Sequence, residues 1–380
     1  MSKQKLSKKK SIYFHIVLLL IPIATLALSY LAYTTFRTIQ FYNYVKSDQR
    51  GWSGHVHGAH KELGYAPIPN SHGWEIMPLG PDIPMRYDKD GFRIPVDDEL
   101  NTTNNHPIVL TLGCSFTYGA ATHAENTFPY LVGNYFGGST KNAGVCSYGL
   151  SQMVLIAKLL IPRHEPDYVI VQYSPWLVKR AIKPFSPSYY GKLPNPYYIG
   201  ESNPVIAPPV FQTKVFEFSI DNYRNTQKGV SDFFSFFENI GFPLLLHDDL
   251  NMTTYTLAKF LRLTDRPTKN HSAVIQHVYQ EIARLAEQNG ARMLIVVLGE
   301  NHLPVPIPKD LLPSNAIVID AQSELLSRLP TIDEKSYQRQ YNHWRGEPPS
   351  LVDTHPNELA HKIIAEMIIF QMVKSSAKEN

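Results

Sequence analysis

Ser115 lies in LTLGCSFTYGA, Leu110 to Ala120, between two glycines and directly after an apolar run. Far downstream, LVDTHPNELAHKIIAE, Leu351 to Glu366, sets Asp353 and His355 just before a helix opened by Pro356-Asn357. A serine hydroxyl becomes a useful nucleophile when a base takes its proton, and the base needs a third group to hold its orientation. In a short turn the Asp353 carboxylate can reach the ring or the backbone of His355. Each segment also has a plain reading. A serine at a helix start is commonly an N-cap, and Asp-Thr-His-Pro-Asn can be a capping turn with an incidental histidine. Acyl chemistry therefore depends on whether the fold carries both segments to one end of the molecule.

The pattern from Pro107 onward predicts such a fold. PIVLTLG is a short apolar run ending in glycine, KNAGV ends a second strand, and DYVIVQYS, ARMLIVVLG and NAIVIDA read as three more. Helical segments alternate with them: Phe128 to Phe136, Met153 to Ile161 closed by Pro162, HSAVIQHVYQEIARLAEQ stopped by Gly290, and a closing helix from NELAHKII onward. Apolar strands alternating with helices predict a three-layer α/β/α sandwich with a mainly parallel sheet. In that arrangement ligands bind at the carboxyl ends of the strands. Ser115 falls there, at a helix start whose backbone N–H groups favour a developing oxyanion.

The first ten residues, MSKQKLSKKK, hold five lysines, and Ile16 to Tyr33 then carries no charge. Extended over 11–36, the run reaches the ~20 residues a helix needs to cross a bilayer. The lysine flank predicts a cytoplasmic N-terminus with the rest of the chain outside, periplasmic or on the cell surface. An uncleaved signal anchor is the favoured reading; Ala27-Leu28-Ser29 also allows a cleaved signal peptide, and a buried core helix leaves the lysines unexplained. The expected organisation is a basic tail (1–10), a transmembrane anchor (11–36), a stem and N-terminal cap (37–104), and a catalytic domain (105–376). An insertion at about 180–268 breaks the alternation and is expected to pack over the sheet. Tyr87 to Pro95, YDKDGFRIP, carries a turn signal that begins the ordered cap.

Composition narrows the chemistry. The net charge of +3 is largely the N-terminal cluster, which gives no footprint for nucleic acid. Two cysteines, Cys114 and Cys146, exclude a disulfide-stapled scaffold and a multi-cysteine metal site. His55, His57 and His60 are close enough to suggest metal, but no carboxylate or cysteine completes a ligand set, and a solvated loop is favoured. WLVKRAIKPFSPSYYGKLPNPYY, Trp176 to Tyr198, mixes basic and aromatic residues suited either to sugar stacking or to plain packing.

Three blocks together resemble the SGNH (GDSL-type) hydrolase superfamily. GCSFTYG is similar to its first block with Cys114 where aspartate is common, NAGVCSYG to its second, and DTHPNELAH to its last with Ala360 for a glycine. The resemblance spans roughly Pro107 to Lys374 without the insertion. It implies a flavodoxin-like fold with Ser115 as nucleophile, His355 as general base and Asp353 as its orienting partner. The Ser115 and Gly144 N–H groups would be two arms of the oxyanion hole, with no metal or organic cofactor. The superfamily's third donor is an asparagine after the third strand; here YSPWL puts Trp176 there, and Gln172 or Ser174 are the candidate substitutes. Cys114 and Cys146, beside the two oxyanion segments, could pair in an oxidising compartment or be two half-buried thiols, the favoured reading; Cys114 itself is a weaker candidate nucleophile. The expected activity is hydrolysis of a carboxylic ester, small or glycan- or lipid-linked. Transfer of the acyl group to an envelope polysaccharide is the alternative, and a non-catalytic assembly role on a decayed scaffold is a third.

Overall fold

The computed structural model describes residues 2–46, 51–97, 105–188, 191–210 and 230–376. These fall into two compact units, Met1–Ser47 with Asp221–Met252, and Asp48–Ile220 with Thr253–Asn380. Tyr189 and Tyr190 of the aromatic stretch, the end of the expected cap near residue 104, and 211–229 of the insertion lie outside the described residues.

The first unit is helical. A single helix, Ser2–Lys46, runs through the apolar span and on through the segment expected to be a stem. RTIQFYNYVK has neither glycine nor proline to end it, so the helix continues to Lys46. Within Lys10–Asn43 an unburied 18-residue window reaches a mean hydropathy of 2.2; among the described residues this is the helix long and apolar enough to cross a membrane. Val230–Phe236, a π-helical turn Phe237–Gly241 and the start of the helix Phe242–Phe260 belong to this unit. Phe236 lies 5.3 Å from the rings of both Phe41 and Tyr42. A Cβ on Gly241 would come within 2.3 Å of Thr38 Cγ2, so glycine lets the backbones meet. Arg37 Nη1 pairs with both carboxylate oxygens of Asp249 at 2.9 and 3.0 Å, and Tyr30 donates to Asp249 at 3.1 Å. This part of the insertion groups with the N-terminal helix, because its phenylalanines find their apolar partners there.

The second unit is built on a five-stranded sheet. Its strands are β1 (Ile108–Leu112), β2 (Ser139–Asn142), β3 (Tyr168–Tyr173), β4 (Arg292–Val297) and β5 (Ile317–Asp320). The order is β2-β1-β3-β4-β5 and every pairing is parallel. This is the flavodoxin-like order, whose direction reverses between β1 and β3. Val109, Leu110, Val169, Ile170 and Leu294–Val297 are all buried, as a sheet covered on both faces requires. Phe128–Tyr135 and Glu358–Ser376 pack together as part of one helix layer, Leu150–His164 and His271–Gln288 as part of the other. Pro162 does not close its helix, which reaches His164 and ends at Glu165 with φ +43°. The proline sits in the last turn, where it removes the N–H that would bond the Lys158 carbonyl.

Ahead of the sheet, Gly51–Ser53, His72–Ile76, Ile83–Tyr87 and Arg93–Ile94 form a four-stranded antiparallel sheet, and His57–His60 pairs with Gly64–Pro67. The histidine-rich stretch is therefore strand, not solvated loop. His57 is 1% exposed and edge-on to Tyr65 and Tyr87. The DKDG turn is present: Asp88 Oδ1 accepts from the N–H groups of Asp90 and Phe92, and Gly91 has φ +83°. After the third strand come two short hairpins, Phe185–Ser188 with Gly191–Pro194 and Tyr197–Ile199 with Val205–Ala207.

Burial lowers the pKa of His57 to about 3, and does the same to His361, which is stacked on Phe128 and accepts from the Phe128 N–H. Both values lie below the unfolded 6.5, so the unfolded chain binds more protons between pH 6.5 and about 3. Stability supplied by keeping each ring neutral is then lost as pH falls, at up to about 1.4 kcal/mol per pH unit for each histidine. In urea unfolding of the detergent-solubilised chain at pH 7.5, 6 and 5, His57→Phe should lose less stability on acidification than wild type. Parallel losses would contradict this assignment.

Candidate active site

Leu112 ends β1 at the point where the strand order reverses, and Ser115–Tyr118 forms one helical turn immediately after it. Ser115 is 7% exposed. Gly113 must be glycine: a Cβ there would lie 2.0 Å from Thr117 Oγ1 and 2.6 Å from Gln172 Oε1. The buried Gln172 amide on β3 fills the space below this turn. Its Oε1 accepts from the Cys114 N–H at 3.0 Å and the Thr117 hydroxyl at 2.9 Å. Its Nε2 donates to Cys114 Sγ at 3.3 Å and to Ser174 Oγ at 2.8 Å, and the Ser174 hydroxyl donates to Leu298 O. Both Nε2 protons and the Ser174 proton are thus committed. As bonded here, neither residue has a donor left for an oxyanion.

The second expected oxyanion donor is also engaged. Gly144 N–H donates to Asn142 Oδ1 at 3.0 Å. A Cβ on Gly144 would lie 2.4 Å from Tyr118 N, so the glycine allows the two loops to touch. Asn142 Nδ2 also donates to the carbonyls of Thr117 and Tyr118, at 3.2 and 3.4 Å. The Ser115 N–H, at the start of its turn, has no hydrogen-bond acceptor among the described residues. Ser115 Oγ donates to Cys114 Sγ at 3.9 Å. Cys114 and Cys146 are not joined by a disulfide.

Asp353 ends a two-stranded ribbon, His343–Arg345 with Ser350–Asp353, and His355 follows in the turn before the helix Glu358–Ser376. Asp353 Oδ1 accepts twice from His355, from the backbone N–H and from Nδ1, each at 2.8 Å. The carboxylate side chain is 6% exposed and the imidazole 21%. Nδ1 therefore carries the proton, and Nε2 is the basic nitrogen. The turn is clamped by two amides: Asn342 donates to the carbonyls of Thr354 and His355, and Asn357 donates to those of Gln340 and Asn342 while capping the helix at the Ala360 N–H.

The fold brings the two segments together. The Phe116 ring, next to Ser115, is edge-on to His355 at 5.3 Å and to Trp176 at 5.2 Å. Thr122 donates to Pro356 O at 3.3 Å, and His343 Nε2 donates to the same carbonyl at 3.2 Å. Burial holds the His343 pKa below its usual value, against the pull of Asp353. Trp176, at the position expected for the third oxyanion donor, packs on the Phe116 ring.

Sequence reasoning did not find the buried pair that holds the far end of the Ser115 turn. Arg93 is 1% exposed. Its guanidinium donates to the carbonyls of Tyr118, Gly119 and Thr122 at 2.6, 2.7 and 2.7 Å and lies over the Tyr118 ring at 4.2 Å. Glu75, also buried, accepts from the Ala121 N–H at 2.9 Å. Gly119 and Ala121 both have positive φ, +81° and +62°, so this turn needs outside support. The available signal was an arginine in GFRIP and a glutamate in GWEIM, each a charge inside a buried alternation.

No protein-family model matches the chain, and no curated protein sequence does. Several solved structures are similar to it. One is a G-D-S-L family lipolytic protein from Desulfitobacterium hafniense, 11% identical, covering 70% of this chain and 98% of that one, with a TM-score of 0.33. Another is a carbohydrate esterase family 2 enzyme with a carbohydrate-binding domain from Myceliophthora fergusii, 12% identical, covering 78% and 72%, with a TM-score of 0.35. A third is an acylhydrolase from Bacteroides fragilis, 10% identical, covering 74% and 90%, with a TM-score of 0.31.

Arg93→Met leaves three buried carbonyls without their charged donor and should cost at least about 3 kcal/mol in urea unfolding. Arg93→Lys, which keeps the charge but loses the fork, should recover part of that. Stability unchanged in Arg93→Met would show that the turn holds itself. By its sheet order and its flanking helices, the second unit is an α/β/α sandwich of flavodoxin-like topology.

Proposed function

We propose that this chain is a serine ester hydrolase in which Ser115 attacks the acyl carbon, His355 takes the hydroxyl proton through Nε2, and Asp353 holds the imidazole. The observation that carries this reading is the 2.8 Å bond from His355 Nδ1 to Asp353, in a turn packed against Phe116. Attack forms a tetrahedral intermediate. Its collapse expels the alcohol, protonated by His355, and leaves an acyl-Ser115 ester. Water, activated by the same histidine, then releases the acid.

The Ser115 N–H supports the developing oxyanion. The Gly144 N–H joins it when it leaves Asn142 Oδ1, with which it is bonded at 3.0 Å. With Trp176 in place of a third donor, turnover should be about 10²–10³ lower than with a complete oxyanion hole. The Phe116 ring beside His355, with Trp176 packed on the same ring, also favours a second reading, in which the acyl group passes to a sugar hydroxyl because water is kept from the acyl-enzyme. In either case the lysine-flanked N-terminal helix anchors the protein in a membrane, with the second unit on the outer side.

Purified full chain in detergent should hydrolyse p-nitrophenyl acetate slowly but measurably. Ser115→Ala should remove that activity, and His355→Gln should lower it by at least about 10³-fold. Wild-type turnover equal to that of Ser115→Ala would overturn the proposal. Product masses in the presence of an acceptor sugar separate transfer from hydrolysis.

A further inference from the structure

A groove of about 560 Å³ lies between the outer face of the four-stranded N-terminal sheet and the helix Phe128–Tyr135. Its volume is within the range of small-ligand sites. Trp74 stands on its rim with 48% of its surface exposed, although its strand neighbours Gly73 and Glu75 are buried. Pro84, its partner on the adjacent strand, lines the same groove. An indole left open beside a proline forms a flat apolar platform. Asp97, His123, Glu125 and Asn134 add polar groups around it.

The lining has two carboxylates, an imidazole and a carboxamide, but neither lysine nor arginine. A flat apolar face with acceptors at its margin complements a pyranose, whose C–H face lies on an aromatic ring while its hydroxyls point outward. Hydroxyls donating to carboxylates make charge-assisted bonds, and the Asn134 amide can both donate and accept. The same carboxylates repel a polyanionic chain. The chain segment that lines the groove is also bonded to the segment that carries the candidate base. Thr122, directly before His123, donates to the carbonyl of Pro356, directly after His355, and Asn126 donates to Glu358 at 2.8 Å. The segment that floors the groove is thereby tied to the segment that carries the base.

We propose that this groove binds a neutral or amino-sugar glycan, with the Trp74 indole as its stacking platform, so that an O-acyl group on the bound chain reaches Ser115. Only the last clause rests on the ester-hydrolase reading. Binding to the groove stands apart from it, and the test is chosen to keep the two distinct.

Full chain in a sugar-free detergent is titrated by calorimetry and by tryptophan fluorescence with cellohexaose, chitohexaose and mannohexaose, and with hexagalacturonate as the polyanionic comparison. At least one neutral hexaose should bind with Kd at or below about 1 mM, and hexagalacturonate at least about tenfold more weakly. Trp74→Ala should weaken the binding about tenfold or more, and Glu125→Gln by a smaller factor. Both variants should keep the wild-type melting temperature, so that any loss of binding is local to the groove. Ser115→Ala should bind the hexaose like wild type, so a failed hydrolysis assay leaves this result intact. Absence of binding by all three neutral hexaoses, equal or tighter binding of hexagalacturonate, or unchanged binding by Trp74→Ala would overturn the proposal.

Discussion

The buried amide of Gln172 is the constraint around which the site is arranged. A strand that ends in a tight turn leaves backbone and side-chain polar groups inside the protein, and each needs a partner. Gln172 answers the Cys114 N–H, the Thr117 hydroxyl, the Cys114 sulfur and the Ser174 hydroxyl together. That arrangement fixes Gly113 as glycine, since a Cβ would fall on Gln172 and Thr117. It also holds the turn that carries Ser115 at the reversal point of the sheet. The cost is that an amide which could have served catalysis serves structure.

The other end of the same turn is held from outside the α/β domain. Arg93 and Glu75 come from the antiparallel sheet that precedes it, and between them they satisfy the carbonyls and the N–H of a turn with two left-handed residues. The N-terminal sheet is therefore part of the site's framework and not an appendage. A buried guanidinium bonded to carbonyls is costly to desolvate, which makes this junction sensitive to substitution. On the third side, Asn342 and Asn357 fix the turn that carries His355. Three separate buried polar networks thus converge on residues far apart in the chain.

Much of the fold was legible because four of the five sheet strands are largely apolar runs with glycine, proline or charge at their ends; Ser139–Asn142 is polar. PIVLTLG and ARMLIVVLG could be read at sight, and the Asp-Thr-His-Pro-Asn turn with its helix followed from capping chemistry. What escaped were features set by long-range packing. The helix past Arg37 continues because nothing local stops it. His57 is buried because Tyr65 and Tyr87 close over it. Gln172 and Ser174 looked like spare donors because sequence names side chains without showing their bonds. Arg93, Glu75 and His343 have no spacing relation to Ser115, so only the folded chain places them beside it.

The central claim is that Ser115, and not its neighbour Cys114, is a nucleophile activated by His355. The most direct measurement is to treat the folded chain with a fluorophosphonate and locate the adduct by mass spectrometry of the peptides. The account predicts a single phosphonylated residue, Ser115, with labelling lost in His355→Ala and after denaturation. An adduct on Cys114 or another serine, or labelling no faster than in the denatured chain, would contradict it.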